Sequence, residues 1–325
     1  MNAVMIIPTG VGAEIGGHAG DGNVVARLLA AVCDKLIIHP NVVNASDINE
    51  MPENCLYVEG SMLDRFLRKE ICLEEVSSNK ILVVVNSPLN NETVNAVSAA
   101  RATIGLDASI LILDTPLVLT AYIKDNQADG GVEGWYQLVE QVKYQDFDAL
   151  AITTPIDVDK DVVLHYLQYG GINPWGGVEA KVSKLISTAL DKPVAHAPMD
   201  ETMRDYNEIV DPRLAAEMVS MCYLHCVLKG LHKAPRIGKG LCASDISCLV
   251  TPVGCVGEPH IACLEAGIPI IAIKENKTWL NDKMPDEFVF VENYLEATGL
   301  LVAMKTGIHP ASVRRPLEYT KVLGR

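Results

Sequence analysis

Residues 245–276 read DISCLVTPVGCVGEPHIACLEAGIPIIAIKEN, and the order of signals in this stretch decides the fold. Ile246 to Val250 is a short apolar run, which Pro252, Gly254 and Gly257 break into a tight loop. Pro259 suits a first helical position with Glu258 beside it; the helix continues from His260 to Ala266, and Gly267 is its C-cap. Pro269 to Ile273 is a second buried strand, ending in Lys274, Glu275 and Asn276. The pattern is a βαβ unit. Its glycine loop would aim backbone N–H groups and a helix N-terminus at whatever lies above the sheet, which suits an anion. Any tight βα turn also favours glycine, so the stretch places a site without naming its ligand.

The same plan opens the chain. Val4 to Ile7 reads as a strand, followed by a loop with Gly10, Gly12, Gly16, Gly17, Gly20 and Gly22, a helix over Val24 to Val32 and a strand over Lys35 to Ile38. Further short apolar runs, Cys55 to Val58, Ile81 to Val85, Ile110 to Leu113, Leu150 to Thr153, Pro193 to Ala195 and Phe288 to Val291, alternate with helical segments. Gln127 to Gly134 is polar and glycine-rich and reads as a loop or lid, and Asp211 with Pro212 opens a helix running to about Leu231. The fold class is therefore α/β, with mostly parallel sheets covered by helices. The expected arrangement is two Rossmann-like halves, residues 1–145 and 146–325, with a cleft between them; one large sheet is the alternative.

Composition excludes several classes. A net charge of -14 over 325 residues argues against a nucleic-acid partner, which needs a basic face. No apolar run approaches the roughly 18 residues of a membrane span, and the N-terminus lacks a basic segment followed by a long apolar one, so the expectation is a soluble, cytoplasmic protein. Nine cysteines scattered through apolar segments do not read as a disulfide framework. The partner expected is a small anionic molecule, with room for a homo-oligomer; the composition names no cofactor.

Two constellations could carry chemistry. In the first loop, Gly16, Gly17 and Gly20 would let a ligand approach the backbone, with His18 as base or donor and Asp21 facing the same space. In the second, Gly254, Gly257, Glu258 and His260 would bind ligand, and Cys255, near a helix N-terminus, is a conceivable nucleophile or simply a small residue filling the turn. Asp114, at a strand end, would orient substrate. Lys181 and Lys184, one turn apart, could hold an acidic substrate or form a solvated helix face. His39, His196 and His260 could meet Asp114, Asp157, Asp200 or Glu201 at strand ends, yet no tight metal-ligand spacing is present and no metal is expected.

Through IPTGVGAEIGGHAGD, IIHPNVVNAS, ARATIGLD and the 245–276 stretch, the chain resembles an uncharacterised family of cyanobacteria, plants and other bacteria, known only as a domain of unknown function. That resemblance implies no activity. Locally, GGHAGDGNVVARLLA and GCVGEPHIACLEAGIPIIAIKEN are similar to the acceptor-domain loop and the nucleotide-diphosphate segment of two-Rossmann glycosyltransferases and sugar-nucleotide epimerases. The second segment departs from that pattern in its separated glycines and single acidic residue. These similarities imply a transferase or epimerase acting on an activated sugar. The alternatives are a cofactor-independent hydrolase, lyase or isomerase using His18 or Cys255, and a non-catalytic metabolite-sensing or assembly protein.

Overall fold

Alternate residues of the first strand serve opposite faces, as a pleated strand requires. Val4 and Ile6 enter one apolar cluster while Ala3, Met5 and Ile7 enter another, and all five are buried. A strand buried on both faces needs helices above and below and a neighbour along each edge. The computed structural model, which describes residues 1–45, 48–199, 206–220 and 222–323, supplies all of these.

The strands in chain order are β1 (Asn2–Met5), β2 (Lys35–Ile38), β3 (Cys55–Tyr57), β4 (Leu73–Glu74), β5 (Lys80–Val85), β6 (Asp107–Ile112) and β7 (Val118–Lys124). They continue with β8 (Gln127–Glu133), β9 (Ala149–Val158), β10 (Val194–Met199), β11 (Arg236–Ile237), β12 (Ile246–Val253), β13 (Ile270–Lys277) and β14 (Val289–Val291). The first sheet is wholly parallel, in the order β14-β13-β12-β1-β2-β3. The second has the order β6-β5-β9-β7-β8, with β10 also paired to β9, and is parallel except for the β7–β8 hairpin.

The mixed α/β class with mostly parallel sheets is thus as expected, but sheet membership does not divide at residue 145. β1 takes β2 on one edge and β12 on the other, with Val4 opposite Leu249, so the two βαβ units from opposite ends of the chain share one sheet. The second sheet is built from the residues between. Parallel pairing selects strands that can be buried on both faces, wherever they lie in the chain.

The helices Gly60–Leu67 and Glu258–Ala266 cover one face of the first sheet through Met62, Leu63, Phe66, Ala262 and Cys263. Asn23–Ala30 and Tyr294–Thr306 cover the other, through Ala26, Leu29 and Leu301. Tyr223–His232 packs Leu224, Val227 and Leu228 into the same cluster, which runs on to Ile81, Val83 and Ala149 of the second sheet. The far face of the second sheet is covered by Trp135–Val142, Lys160–Tyr169 and Gly176–Leu190. Among the described residues, no single helix is long and apolar enough to cross a membrane.

Three expectations need correction. Gln127 to Gly134 is not a loop: residues 127–133 form β8, which turns back on β7 through Asp125 and Asn126, both at positive φ. The helix expected from Pro212 to Leu231 is broken into a 3-10 turn Pro212–Leu214, a short helix Ala215–Met218 and Tyr223–His232. The cysteines are not all free, since Cys72 and Cys242 form a disulfide across 170 residues beside the β4–β11 pair. It staples together the outgoing and returning connections between the two sheets.

Candidate functional site

Carboxyl ends of parallel strands collect loops, and a crevice opens where neighbouring strands send their connections to opposite faces. In the first sheet that point lies between β1 and β12. A cavity of about 550 Å3 sits there. Its floor is made by the residues that follow four strands: Thr9 after β1, His39 and Asn41 after β2, Glu59 and Gly60 after β3, and Cys255, Gly257 and His260 after β12. Its roof comes from the other sheet: Ala128 and Asp129 of the hairpin, Glu179, Lys181 and Lys184 of the helix Gly176–Leu190, and His196 of β10.

Glu59 follows β3 and caps the helix Gly60–Leu67. Its carboxylate accepts from the backbone N–H of Ser61 and Met62 at 2.9 and 3.1 Å and from the Ser61 hydroxyl. Burial pushes this carboxyl up, and those hydrogen bonds oppose the push. On the roof, His196 lies between Glu179 (Nδ1 to Oε1, 3.1 Å) and Thr154 (Nε2 to Oγ1, 3.0 Å). Lys181 donates to the Gly130 carbonyl at 2.8 Å, and Lys184 faces Asp64 at 3.8 Å. The indole N–H of Trp175, a cavity-wall residue only 2% exposed, has no partner among the described residues.

The loop 254–260 reaches the cavity, and three of its backbone donors are committed. Gly254 N–H points to Met284 Sδ, Val256 N–H to Asp282, and Gly257 N–H to His260 Nδ1 at 3.0 Å. With Nδ1 accepting, His260 donates from Nε2 to Thr251 Oγ1 at 2.8 Å, and burial holds it neutral, lowered to about 4. Of the two readings of Cys255, a nucleophile near a helix start or a small residue filling the turn, burial favours the second: it pushes the thiol up to about 12, which keeps it protonated. Glu258 points away to an ion pair with Arg68. Gly254 does not line the cavity; its φ of +84° and the nearness of Thr278 Oγ1 account for glycine there.

The first loop meets the cavity through Thr9, Val11 and Ala19, and its glycines serve packing. A Cβ on Gly16 would strike Ile7, one on Gly17 would lie 2.1 Å from the Ala13 carbonyl oxygen, and Gly20 has a φ of +85°. His18 and Asp21 lie behind Ala19, joined by a bond from the His18 N–H to Asp21 Oδ1 at 3.2 Å. Burial raises the Asp21 carboxyl to about 7 and lowers His18 to about 4. Asp114 is exposed at the end of β6 and does not line the cavity. Asp200 and Glu201 lie outside the described residues. Among the described residues, no three His, Cys, Asp or Glu side chains come together as a metal site.

Sequence reasoning missed Glu217, Tyr166, Asn173 and Trp175. Asn173 and Trp175 stand inside the glycine-rich run GGINPWGG, which was a usable signal; the segment AAEM around Glu217 offered none.

The fold and cavity define an α/β protein with a small-molecule-sized site at the strand ends of a parallel sheet. The chain belongs to the family described as a protein of unknown function (DUF3326), whose model matches residues 2–314. It is similar to an uncharacterized lipoprotein of Synechococcus sp., 33% identical over 335 residues that cover 96% of this chain and 93% of the relative. No solved structure matches the chain. The likeness to two-Rossmann glycosyltransferases therefore rests on the local segments alone.

Proposed function

We propose that the protein is an enzyme that binds a phosphorylated or nucleotide-linked small molecule in the cavity, a transferase or epimerase acting on an activated sugar. The observation that carries this reading is the composition of the roof helix and the floor. Lys181 and Lys184 stand one turn apart and suit a phosphate, while Glu59, Glu179 and Asn173 are acceptors and donors suited to sugar hydroxyls. With the Gly254, Val256 and Gly257 N–H groups committed, the lysines are the anion's anchor in this reading.

A thermal-shift panel of sugar phosphates and sugar nucleotides tests this. A ligand at about 100 times its Kd should add about 2.7 kcal/mol of stability. The double variant Lys181→Ala/Lys184→Ala should weaken binding at least tenfold. A panel with no shift would remove the reading and leave the metabolite-sensing or assembly alternative to be tested with other ligands. The cytoplasmic location is likewise a proposal, set against the relative's name as a lipoprotein and the Cys72–Cys242 pair. Alkylation of thiols in intact cells decides it: free Cys72 and Cys242 support the cytoplasm, a protected disulfide an oxidising compartment.

A further inference from the structure

A chain of buried polar groups runs from the first loop to the cavity wall. Glu217, in the short helix Ala215–Met218, is 4% exposed and lines the cavity. Its Oε2 accepts from the Tyr166 hydroxyl at 2.7 Å and from the Ala19 N–H at 3.2 Å, and its Oε1 accepts from Asn173 Nδ2 at 3.3 Å. The Tyr166 oxygen also lies 2.7 Å from His18 Nδ1 and 3.2 Å from Asn173 Nδ2. His18 is fully buried, and its Nε2 has no partner among the described residues.

A tyrosine hydroxyl has one proton, and that limits the chain to two states. With Glu217 ionised, Tyr166 donates to Glu217, so His18 must donate from Nδ1, leaving a bare lone pair on Nε2. With Glu217 protonated on Oε2, the carboxyl donates to Tyr166, Tyr166 donates to His18 Nδ1, and the imidazole proton sits on Nε2. The two states differ by one proton on Glu217 and by the tautomer of His18, and no heavy atom moves between them. His18 and Tyr166 are neutral in both, and Glu217 passes from ionised to neutral.

We infer that Glu217 is the acid–base residue of the cavity, with Tyr166 and His18 as positioning residues hydrogen-bonded in line behind it. This rests on the reading that a small molecule with a sugar part fills the cavity. The reaction class is cofactor-free proton transfer next to a carbonyl. Ionised Glu217 takes a proton from the carbon, the C–H electron pair moves into an enolate, the proton on Glu217 exchanges with solvent, and Glu217 returns a proton to carbon on the other face or at the neighbouring position. An isomer or epimer results, with no oxidant or co-reactant.

The surroundings hold Glu217 near balance. Burial raises its carboxyl to about 7, against which Tyr166, Ala19 and Asn173 lower it, while Glu179 of the roof helix raises it further. Asp21 and Arg213 face the His18 end, and Tyr223 donates to the Glu217 carbonyl oxygen at 2.6 Å from the helix Tyr223–His232. A carboxyl raised in this way can act as base and acid near neutral pH, as a general acid–base group requires.

Two readouts test the inference. In protein labelled with 15N-histidine, NMR from pH 5.5 to 8.5 should show the His18 proton on Nδ1 at high pH and on Nε2 at low pH, with a midpoint near 7. Glu217→Gln and Tyr166→Phe should each abolish the switch. A single His18 tautomer throughout, or a switch that survives Glu217→Gln, overturns the coupling of His18 to Glu217. Second, glucose 6-phosphate, fructose 6-phosphate and UDP-glucuronic acid are incubated with the protein in D2O. Solvent deuterium should enter carbon next to a carbonyl with wild type, fall at least about 100-fold in Glu217→Gln with binding retained, and shift its pH profile in Tyr166→Phe. Binding without deuterium entry by wild type overturns the catalytic role and leaves the binding reading standing. Absence of binding by all three overturns the substrate class, and with it the catalytic role.

Discussion

Replacing Gly177 by alanine should be costly, and replacing Gly257 by alanine should not, although both glycines line the same cavity at helix starts. A Cβ on Gly177 would stand 2.1 Å from the Ala128 carbonyl oxygen, 2.3 Å from its carbon and 2.6 Å from the Asp129 nitrogen. All three are backbone atoms and cannot swing aside. Restoring ordinary contact means moving the roof helix or the hairpin by roughly 1 Å in a close-packed region. Overpacking of this kind costs about 1–3 kcal/mol, and the helix propensity gained by alanine recovers about 1 kcal/mol at most. Three backbone contacts under 3 Å place this site at the upper end of that range, so the net expectation is a loss of about 2 kcal/mol. A Cβ on Gly257 meets only Pro259 Cδ at 3.9 Å and its φ of -142° suits any residue, so Gly257→Ala should cost only the N-cap preference for glycine, up to about 1 kcal/mol. Urea unfolding of both variants, compared at equal m, measures the difference. Gly177→Ala within 0.5 kcal/mol of wild type, a threshold of about the size of an ordinary surface effect, would refute the close-approach argument. Equal losses in the two variants would refute it as well.

Removing the Cys72–Cys242 bridge by a double serine substitution should cost about 2–5 kcal/mol, read as a lower midpoint in denaturant; an unchanged midpoint would show that the closed loop of 170 residues contributes nothing. Glu217, raised from an ordinary 4.5 to about 7 by burial, contributes stability that is fully present below pH 4.5 and lost as pH rises through 7, so wild type should lose about 3 kcal/mol relative to Glu217→Gln between pH 4.5 and 8.5. Parallel pH curves for the two proteins would contradict that shift. Cys255, buried and pushed up to about 12, should resist iodoacetamide in the native protein at pH 8 and react on unfolding; rapid native alkylation at this position would restore the nucleophile reading. His260→Ala should cost about 1–3 kcal/mol by stranding the Gly257 N–H and the Thr251 hydroxyl, a loss that thermal unfolding would detect.

The opening stretch was legible because each signal had one local cause. β12 and β13 are apolar runs buried on both faces, and the helix between them ends at Gly267 with a φ of +69°, the conformation glycine adopts most easily. The pairing of β1 with β12 was not legible, since nothing in either strand encodes a partner more than 240 residues away. The β7–β8 hairpin hid behind its own composition. Gly130 belongs in β8 because a Cβ there would strike the Thr120 carbonyl oxygen and Val178 of the roof helix, and a strand rich in such residues reads as a loop. Its turn was visible in Asp125-Asn126, a pair that tolerates positive φ.

At the site, the glycine density near the N-terminus correctly marked an unusual loop, but close packing explains it better than a ligand does, since Gly16 and Gly17 face Ile7 and Ala13. His18 was singled out from the sequence, yet its partners Tyr166 and Glu217 come from segments 148 and 199 residues away. Glu217 has no local mark at all: only tertiary burial separates it from any other glutamate on a short helix.

The central claim is that a phosphorylated or nucleotide-linked molecule occupies the cavity at the carboxyl ends of the first sheet. Native mass spectrometry of gently purified protein, followed by denaturing release and identification of the bound molecule, tests it most directly. The account predicts a phosphate-bearing ligand on wild type that is lost from Lys181→Ala/Lys184→Ala. The same ligand on both proteins, or a released molecule without phosphate, would contradict it.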